Sequence, residues 1–567
     1  MQCSGAQIII EYLEQRGVRI VAGMPGGANL PLYDALARSR LRHVLVRHEQ
    51  AAGFIAQGMA RASGRAAVCF ATSGPGATNL VTALADARMD SIPIVAITGQ
   101  VPTSLLGTDA FQEVDTVAIC KPVVKHARMV THVEQLWAAL DQAFEMAESG
   151  RPGPVLVDVP KDVQQACLEW PTARPAPRAE RQPPMPPSPA ELERALRLLA
   201  EAERPMLYVG GGVIHSGAES LLADFASRQQ LPLVCTLMGL GCFDPDHVQH
   251  LGMLGMHAAP YTNLALREAD LLLALGVRFD DRATGKLSEF CPAARTLHVD
   301  IDAREIGKLR AVELGVVGDV GVFLRALLPL TAAVRRPAWL ARVAALRRRH
   351  PMPGTVSKRA PHSVPALLRH LGSRIAPSTV VTTDVGQHQM WVAQHLAIRR
   401  PRQLLTSGGL GTMGFGLPAA IGAALQTGGR VICITGDGSL LLNIQELATL
   451  AELDLDLTIL LFDNRHLGLV RQQQVLFYRQ RLSAARFERP TDFVAVARAF
   501  GIEAQTWNPA HDGLVELHAL FDRRGPRLIQ VPIDAAELVL PMVPPGAANH
   551  EMLGMSAVLG PAGGRAG

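Results

Sequence analysis

The sequence predicts an α/β protein built from three doubly wound parallel-sheet domains. Short apolar runs alternate with amphipathic stretches along the whole chain. The chain has 567 residues, too many for one core, and at roughly 150 residues per domain three or four domains are expected. Two proline-rich breaks interrupt the alternation and divide the chain into three similar parts.

The apolar runs at 67–71, 92–97, 155–159, 206–209, 270–275, 380–383, 431–434 and 457–462 are mostly bounded by Gly, Pro, Ser or Asp. Such runs are the mark of strands buried on both faces of a parallel sheet. The first break, 171–189, carries Pro184, Pro186, Pro187 and Pro189 and reads as an extended linker. Ser188-Pro189-Ala190-Glu191 then opens a helix with proline in its first turn. The second break is Pro351-Met352-Pro353-Gly354. The expected domains are therefore 1–170, 190–335 and 360–545. A tail covers 546–567, Gly- and Ala-rich from Ser556 and expected to fray.

Composition narrows the function classes. The chain is 48% apolar and 19% charged, ordinary for a soluble globular protein, and its net charge of +4 creates no field for nucleic acid. Arg347, Arg348 and Arg349 follow an apolar helical pattern and read as a solvated helix face. The eight cysteines form no C-x-x-C pair and several sit in apolar runs, which fits a reduced, cytoplasmic protein without a zinc site. Glu11 and Glu14 interrupt what would be a signal peptide, and the chain starts in a helical pattern. No run approaches the roughly 18 apolar residues of a membrane span, so neither membrane nor nucleic acid is an expected partner.

The most specific motif lies in the third part. The run at 431–435 meets Gly436-Asp437-Gly438-Ser439; a helical stretch, 443–453, and a second strand, 457–462, ending in Asp463-Asn464 follow. A strand, a Gly-Asp-Gly turn, a helix and a strand ending in Asn can hold a diphosphate through Mg²⁺. That hard ion takes octahedral oxygen ligands. Asp437 supplies a carboxylate oxygen, Asn464 an amide oxygen and the backbone near His466 a carbonyl, which leaves positions for two phosphate oxygens and a water. Gly436, Gly438 and Ser439 let the backbone and the helix N-terminus approach the phosphates. The bland alternative is a βα turn with Asp as cap, and Asn on the next strand is what argues against it. Thiamin diphosphate is the cofactor this arrangement points to.

That cofactor also needs a carboxylate. The run at 41–46 is followed by Arg47-His48-Glu49-Gln50 and a small-residue helix, 51–62. A Glu entering a helix of Ala and Gly is expected to be buried and unpaired, and so able to share a proton. Glu49 would hydrogen-bond to N1′ of the aminopyrimidine and favour the tautomer whose N4′ takes the C2 proton. The competing reading is a surface Glu at a helix start, favoured by the helix dipole.

Met24-Pro25-Gly26-Gly27, Arg47-His48-Glu49-Gln50 and the segments 72–79, 107–115, 252–257, 278–282, 408–416 and 541–549 together resemble the acetohydroxyacid (acetolactate) synthase large subunit, in that family's order over about 5–555. The resemblance implies a fold of the pyruvate oxidase/decarboxylase-like type. It implies Glu49, Gln112 and Lys161 as catalytic-site residues, with Phe111, Gln112 and Lys161 lining the substrate channel. Gly26 belongs to the cofactor-binding set. The Gly411 carbonyl and the bulk of Met413 hold the aminopyrimidine in its bent shape. The central part is expected to bind FAD, in a structural role, with Gly210, Gly211, Arg278 and Asp300 as contacts. Gly210-Gly211-Gly212 alone is a weak signal, more often a tight turn. Arg278 also matches the residue that meets the carboxylate of the second ketoacid, a task suited to a guanidinium fork.

One departure concerns Gln473, where many members of the family carry a Trp that packs on the extra methyl of 2-ketobutyrate. One methylene in an apolar pocket is worth roughly 1–3 kcal/mol, so pyruvate self-condensation to 2-acetolactate is favoured over acetohydroxybutyrate formation. The alternatives are another flavin-bearing relative, such as a glyoxylate carboligase, a decarboxylase or a pyruvate oxidase, and an inactive paralogue. Glu49 speaks against the carboligase, and intact Glu49, Asp437 and Asn464 speak against the inactive paralogue. The resemblance further implies a site formed between the first domain of one subunit and the third domain of another, hence a homodimer or homotetramer, with a small regulatory subunit as a further partner.

Overall fold

The computed structural model describes residues 2–169, 185–353, 363–509 and 511–554. Most of the proline-rich linker, Gly354 of the second break and the end of the chain from Ser556 lie outside them. The described residues fall into two compact units. One takes residues within 1–182, 378–389 and 405–535; the other takes residues within 183–377, 390–404 and 536–567.

The first unit holds two six-stranded sheets. In the N-terminal sheet the spatial order is Arg42–Leu45, Ile20–Gly23, Ala67–Ala71, Ile94–Gln100, Val155–Pro160 and His126–Met129, all parallel. In the C-terminal sheet Val380–Thr383, Val431–Gly436, Leu457–Asp463, Arg527–Pro532 and Glu503–Thr506 follow one another in parallel. The second unit carries a parallel sheet in the order His250–Met253, Leu233–Cys235, Pro205–Val209, Leu271–Leu275, Arg295–Asp300 and Leu314–Val317. The central strands Ala67–Ala71, Leu271–Leu275 and Leu457–Asp463 are buried at every position, as helices on both faces require. Open sheets of this kind bind ligands beyond the carboxyl ends of their strands. The segments 24–27, 47–50, 72–79, 278–282 and 437–439 follow such ends.

Two helices set the geometry of the first unit. Glu49–Ser63 is started by His48, whose ring nitrogen accepts from the Gln50 N–H, and is stopped by Gly64 in the left-handed region (φ 74°). Gly416–Thr427 ends the same way at Gly428. The helices cross where neither has a side chain: a Cβ on Gly58 would lie 2.1 Å from the Ala419 carbonyl oxygen, and one on Gly422 would lie 2.0 Å from that of Ile55. The small residues of 51–62 are thus explained by a backbone-to-backbone approach, with Glu49 at the helix's N-terminal end.

The structure amends several expectations. The stretch 443–453 is not one helix: a short helix Asp437–Leu440 and a 3-10 turn Leu441–Asn443 precede Glu446–Leu453. Asn443 spends its amide on the Gly414 carbonyl (2.7 Å) and on Gln50 (3.3 Å), the kind of side-chain bonding that competes with helix. A strand, Gln2–Ser4, precedes the first helix and pairs antiparallel with Cys167–Glu169. Residues 546–554, counted with the tail in the sequence, pack in the second unit: Ala548, Asn549 and Met552 are buried and Asn549 donates to the Ala283 carbonyl. Arg347 is not merely solvated: it donates to the His250 carbonyl at 2.7 Å and stacks over Tyr261. All eight cysteines are free thiols, seven of them buried. No described helix is long and apolar enough to cross a membrane.

Candidate functional site

Thr72, just past strand Ala67–Ala71, is the hub of the N-terminal half of the site. A Cβ on Gly26 would strike Thr72 at 2.6 Å, and one on Gly76 would lie 2.7 Å from its methyl and 3.3 Å from Glu49 Oε1. Glu49 is only 8% exposed. It is not unpaired, as the sequence led us to expect: Asn79 Nδ2 donates to Oε2 at 2.9 Å. The partner is neutral, so it satisfies one oxygen without compensating the charge.

Gln112 reaches this turn from the loop after strand Ile94–Gln100. Gly74 (φ 57°) lies against it, its Cβ position 2.8 Å from that of Gln112. Gln112 itself sits in the left-handed region (φ 60°), a conformation costing about 1–2 kcal/mol that persists only where surroundings over-determine it. Glu113 supplies the constraint. Its carboxylate accepts from the backbone N–H groups of Gly107, Thr108 and Ala110, and these bonds hold its pKa below the ordinary value. Sequence reading gave Glu113 no role. Phe111, next to it, is 87% exposed. Lys161 opens the short helix Lys161–Gln165 and is half-buried, and the adjacent Asp162 accepts from Thr103 N and Oγ1, tying the base of the Gln112 loop to Lys161.

The C-terminal half is centred on Asp437. Its Oδ1 accepts from Gly438 N at 2.9 Å, while Oδ2 is buried and accepts no hydrogen bond. Burial, and then the Asp463 carboxylate, push its pKa up to about 7. A buried carboxylate oxygen without a donor, beside a second carboxylate, calls for a cation. The Asn464 amide nitrogen donates to Gln387 Oε1 (3.1 Å) and its oxygen accepts from His466 N (2.9 Å), which leaves that oxygen one further lone pair. The His466 ring nitrogen Nδ1 lies 2.7 Å from the Asn464 carbonyl oxygen, so the ring is committed to the backbone and only a carbonyl remains as a ligand from this corner. One carboxylate, one amide and a backbone carbonyl are half of an octahedral shell, which suits Mg²⁺ carried on a diphosphate. Ser439 donates to the Val385 carbonyl at 2.7 Å and closes the turn, while Gly438 packs under Leu467.

Sequence reading left His388 unassigned. It is buried, its Nε2 has no partner, and it packs against Gly436, where a Cβ would come within 3.0 Å of Nδ1. Burial pushes its pKa down to about 3, so the ring is neutral. Asp384 is also buried, accepts from the N–H groups of Gly414 (2.8 Å) and Gly416 (3.1 Å), and is raised to about 6 by burial. It anchors one end of the segment carrying Gly411 (φ 67°), whose Cβ position faces Val385, and half-buried Met413. Across the unit, buried Glu446 accepts from Arg47 N at 3.0 Å and fixes the corner leading to Glu49. On helix Gly468–Phe477, Gln472 is buried against Gln387, Gln474 is tied to Ser483, and Gln473 is exposed.

In the second unit Gly210 follows strand Pro205–Val209 and caps the short helix Gly211–Ser216. A Cβ on Gly210 would fall 2.1 Å from the Gly276 carbonyl oxygen, whereas one on Gly211 would make only an ordinary contact with Met238. Gly210 therefore serves strand–loop packing, whereas Gly211 would accept a Cβ at ordinary van der Waals distance from Met238. Arg278, half-buried, precedes Phe279 in the left-handed region (φ 55°). Asp300 is buried and accepts from Asp302 N at 2.8 Å, which leaves Oδ2 4.0 Å from His298 Nε2.

Comparison with known proteins accords with this geometry. Residues 3–119 match the family of the N-terminal thiamine pyrophosphate (thiamin diphosphate) binding domain of thiamine pyrophosphate enzymes. Residues 192–327 match their central domain, and 384–531 their C-terminal binding domain. The chain is 52% identical over 554 residues to the acetolactate synthase isozyme 1 large subunit of Escherichia coli K12, covering 97% of this chain and 98% of the relative. It is 48% identical over 560 residues to the isozyme 2 large subunit of the same organism, covering 97% and 99%. It is also 45% identical over 555 residues to a probable acetolactate synthase large subunit of Methanocaldococcus jannaschii, covering 96% and 94%.

Proposed function

This chain belongs to the acetolactate synthase large subunits among the thiamine pyrophosphate enzymes, and from that premise we propose that it decarboxylates pyruvate and condenses the two-carbon unit with a second 2-ketoacid. The product with pyruvate is 2-acetolactate, with 2-ketobutyrate 2-aceto-2-hydroxybutyrate, the entry to branched-chain amino-acid synthesis. The observation that carries this reading is that both halves of a thiamin diphosphate site are present, buried Glu49 in one and, in the other, a buried Asp437 oxygen that accepts no hydrogen bond, halves that the resemblance would join between two subunits.

Bound thiamin diphosphate supplies the carbon nucleophile and electron sink that such a decarboxylation needs. Asp437, Asn464 and the backbone at His466 would hold Mg²⁺ against its diphosphate. Glu49, with Oε2 satisfied by Asn79, keeps Oε1 beside Gly76 to share a proton with the aminopyrimidine ring. Gly411 and Met413 would hold that ring in place. Phe111, Gln112 and Lys161 would line the approach of the ketoacid, and Arg278 would meet the carboxylate of the second one. Gln473 presents an amide where an apolar face would favour the longer acceptor, so pyruvate is the preferred acceptor.

FAD is the second expected cofactor, in a structural role, with Gly210, Gly211, Arg278 and Asp300 around it. The division into 1–170, 190–335 and 360–545 follows the three sheets, although 546–554 joins the second unit. A homodimer or homotetramer, a small regulatory subunit and a cytoplasmic setting complete the reading; the free thiols support the last. Acetolactate formation from pyruvate by the purified chain, with thiamin diphosphate and Mg²⁺ and with or without FAD, tests it. Product that depends on FAD is expected. A flavin-bearing decarboxylase or oxidase would instead release acetaldehyde or consume oxygen.

A further inference from the structure

The first unit contains a buried ionic cluster that none of the chemistry above uses. Arg61, in the last turn of helix Glu49–Ser63, reaches Asp90 Oδ2 at 2.9 Å and Asp86 Oδ1 at 3.2 Å, and its guanidinium stacks 5.0 Å from the Phe415 ring. Asp86 lies on helix Val81–Met89 and Asp90 caps its end. All three side chains are at most 3% exposed.

The carboxylates do more than pair with Arg61. Asp90 Oδ2 accepts from Gly408 N at 2.9 Å and Oδ1 from Gly409 N at 2.7 Å. Asp86 Oδ2 accepts from the hydroxyls of Ser407 and Thr412, and the Ser407 hydroxyl in turn accepts from Thr412 N at 2.8 Å. A Cβ on Gly409 would lie 2.8 Å from Met89 and 2.9 Å from Asp90 Oδ1, so only glycine lets the loop come this close. Each end of the segment 407–412 is held by charge-assisted hydrogen bonds in a dry environment, where such bonds are strongest and most costly to leave unmade. Leu410 and Gly411 are what the clamp leaves projecting.

We propose that Arg61, Asp86 and Asp90 are positioning residues of the reaction, a clamp from the N-terminal half that sets the loop bearing Gly411 and Met413. The inference rests on the reading that this loop holds the cofactor's aminopyrimidine. Two carboxylates face one guanidinium, and the loop's donors offset the excess charge. The clamp's two arms differ in chemistry. Backbone N–H groups can only donate, so an amide nitrogen placed at Asp90 meets a donor with a donor. Hydroxyls can turn round and accept, so the same replacement at Asp86 is accommodated. Both replacements exchange one carboxylate oxygen for an amide nitrogen in the same cluster.

The test uses the full chain with Asp90→Asn and Asp86→Asn. Hydrogen–deuterium exchange of peptides spanning 405–416 is measured without cofactor, and kcat and KM for pyruvate at saturating thiamin diphosphate and Mg²⁺. Asp90→Asn should speed exchange at Gly408 and Gly409 and lower kcat by about 10- to 100-fold with KM little changed, the scale expected of a misplacement of about 1 Å. Asp86→Asn should act in the same direction but more weakly, lowering kcat by no more than about fivefold, because its hydroxyl partners can turn and accept. Equal effects in the two variants would overturn the clamp, as a cluster that merely stabilises packing predicts. Faster exchange in Asp90→Asn with kcat intact would overturn the positioning role. A parent chain without acetolactate activity would sink the functional reading alone, because exchange in the cofactor-free chain still reads the clamp. If Asp90→Asn does not accumulate, Ser407→Ala with Thr412→Val removes the loop's donors to Asp86 from outside the cluster and must speed exchange in the same peptides.

Discussion

Asn79 donates its side-chain amide to Glu49 at 2.9 Å, and no other residue described in the first unit makes a side-chain hydrogen bond to that carboxylate. The pair comes from two different strand ends, held together because Gly76 leaves room for Oε1. Replacing Glu49 by Gln should lower kcat by about 10²–10⁴-fold, the range of a positioned acid–base group, with cofactor binding retained. Asn79→Ala should cost about tenfold, because one Glu49 oxygen loses its donor. Single-turnover product formation, alongside a cofactor titration, separates the two effects.

Asp437 Oδ2 is buried and accepts no hydrogen bond, and it is the oxygen proposed to meet Mg²⁺. Asp437→Asn should raise the Mg²⁺ concentration needed for half-maximal cofactor binding by at least about tenfold, since a hard ion loses its charged ligand. Asn464→Ala should act in the same direction. Calorimetric titration of the cofactor at graded Mg²⁺ would show it. An unchanged metal requirement in both variants would remove these residues from the metal site.

Gln473 is exposed, between the buried Gln472 and the tethered Gln474. It can therefore be exchanged without disturbing the helix. Gln473→Trp should shift product competition toward 2-ketobutyrate by roughly tenfold, within the 1–3 kcal/mol that one methylene commands in an apolar pocket. A ratio of products that does not move would place the acceptor elsewhere.

Asp158, buried in strand Val155–Pro160, accepts from Thr98 Oγ1 at 2.7 Å and from Gln100 Nε2 at 3.1 Å. Burial raises its pKa from 3.8 to about 7, and Asp115 adds to this. Between those values the folded chain holds a proton that the unfolded chain releases. Stability contributed by this group is therefore full at about pH 4 and falls as pH rises toward about 7. Asp158→Asn removes the titration, so its Tm relative to the parent should climb from pH 5 to pH 8. A relative Tm that falls over that range would contradict the assignment.

Gly210 is committed to packing, whereas Gly211 is proposed as a contact of FAD. Gly210→Ala should destabilise the second unit by about 1–3 kcal/mol or more, because its Cβ would meet the Gly276 carbonyl. Gly211→Ala should leave Tm nearly unchanged and weaken FAD retention. Thermal unfolding and flavin absorbance after gel filtration distinguish them.

Much of this was legible in the sequence. The runs at 67–71 and 380–383 appear as strands with the same bounds, because a strand buried on both faces needs an unbroken apolar run. The Gly436–Ser439 segment at the end of one strand and Asn464 just past the end of the next stand where the sequence placed them. Asn79, Glu113 and His388 were not assigned roles, since nothing local distinguishes an Asn, Glu or His that caps a loop from one that completes a site.

By itself, then, the sequence determined the period and length of the strands, the three-part division and the residue types that must stand at strand ends. Those properties are local, set by apolar patterning and by what phosphate and metal chemistry require. Only the tertiary structure decided that Gln112 sits at the turn beside Glu49, that Glu446 pins Arg47, and that Asp90 holds Gly408 and Gly409 from 318 and 319 residues away. Such contacts arise from how helices cross at Gly58 and Gly422. That crossing depends on the absence of side chains at two distant positions, which no local pattern can announce.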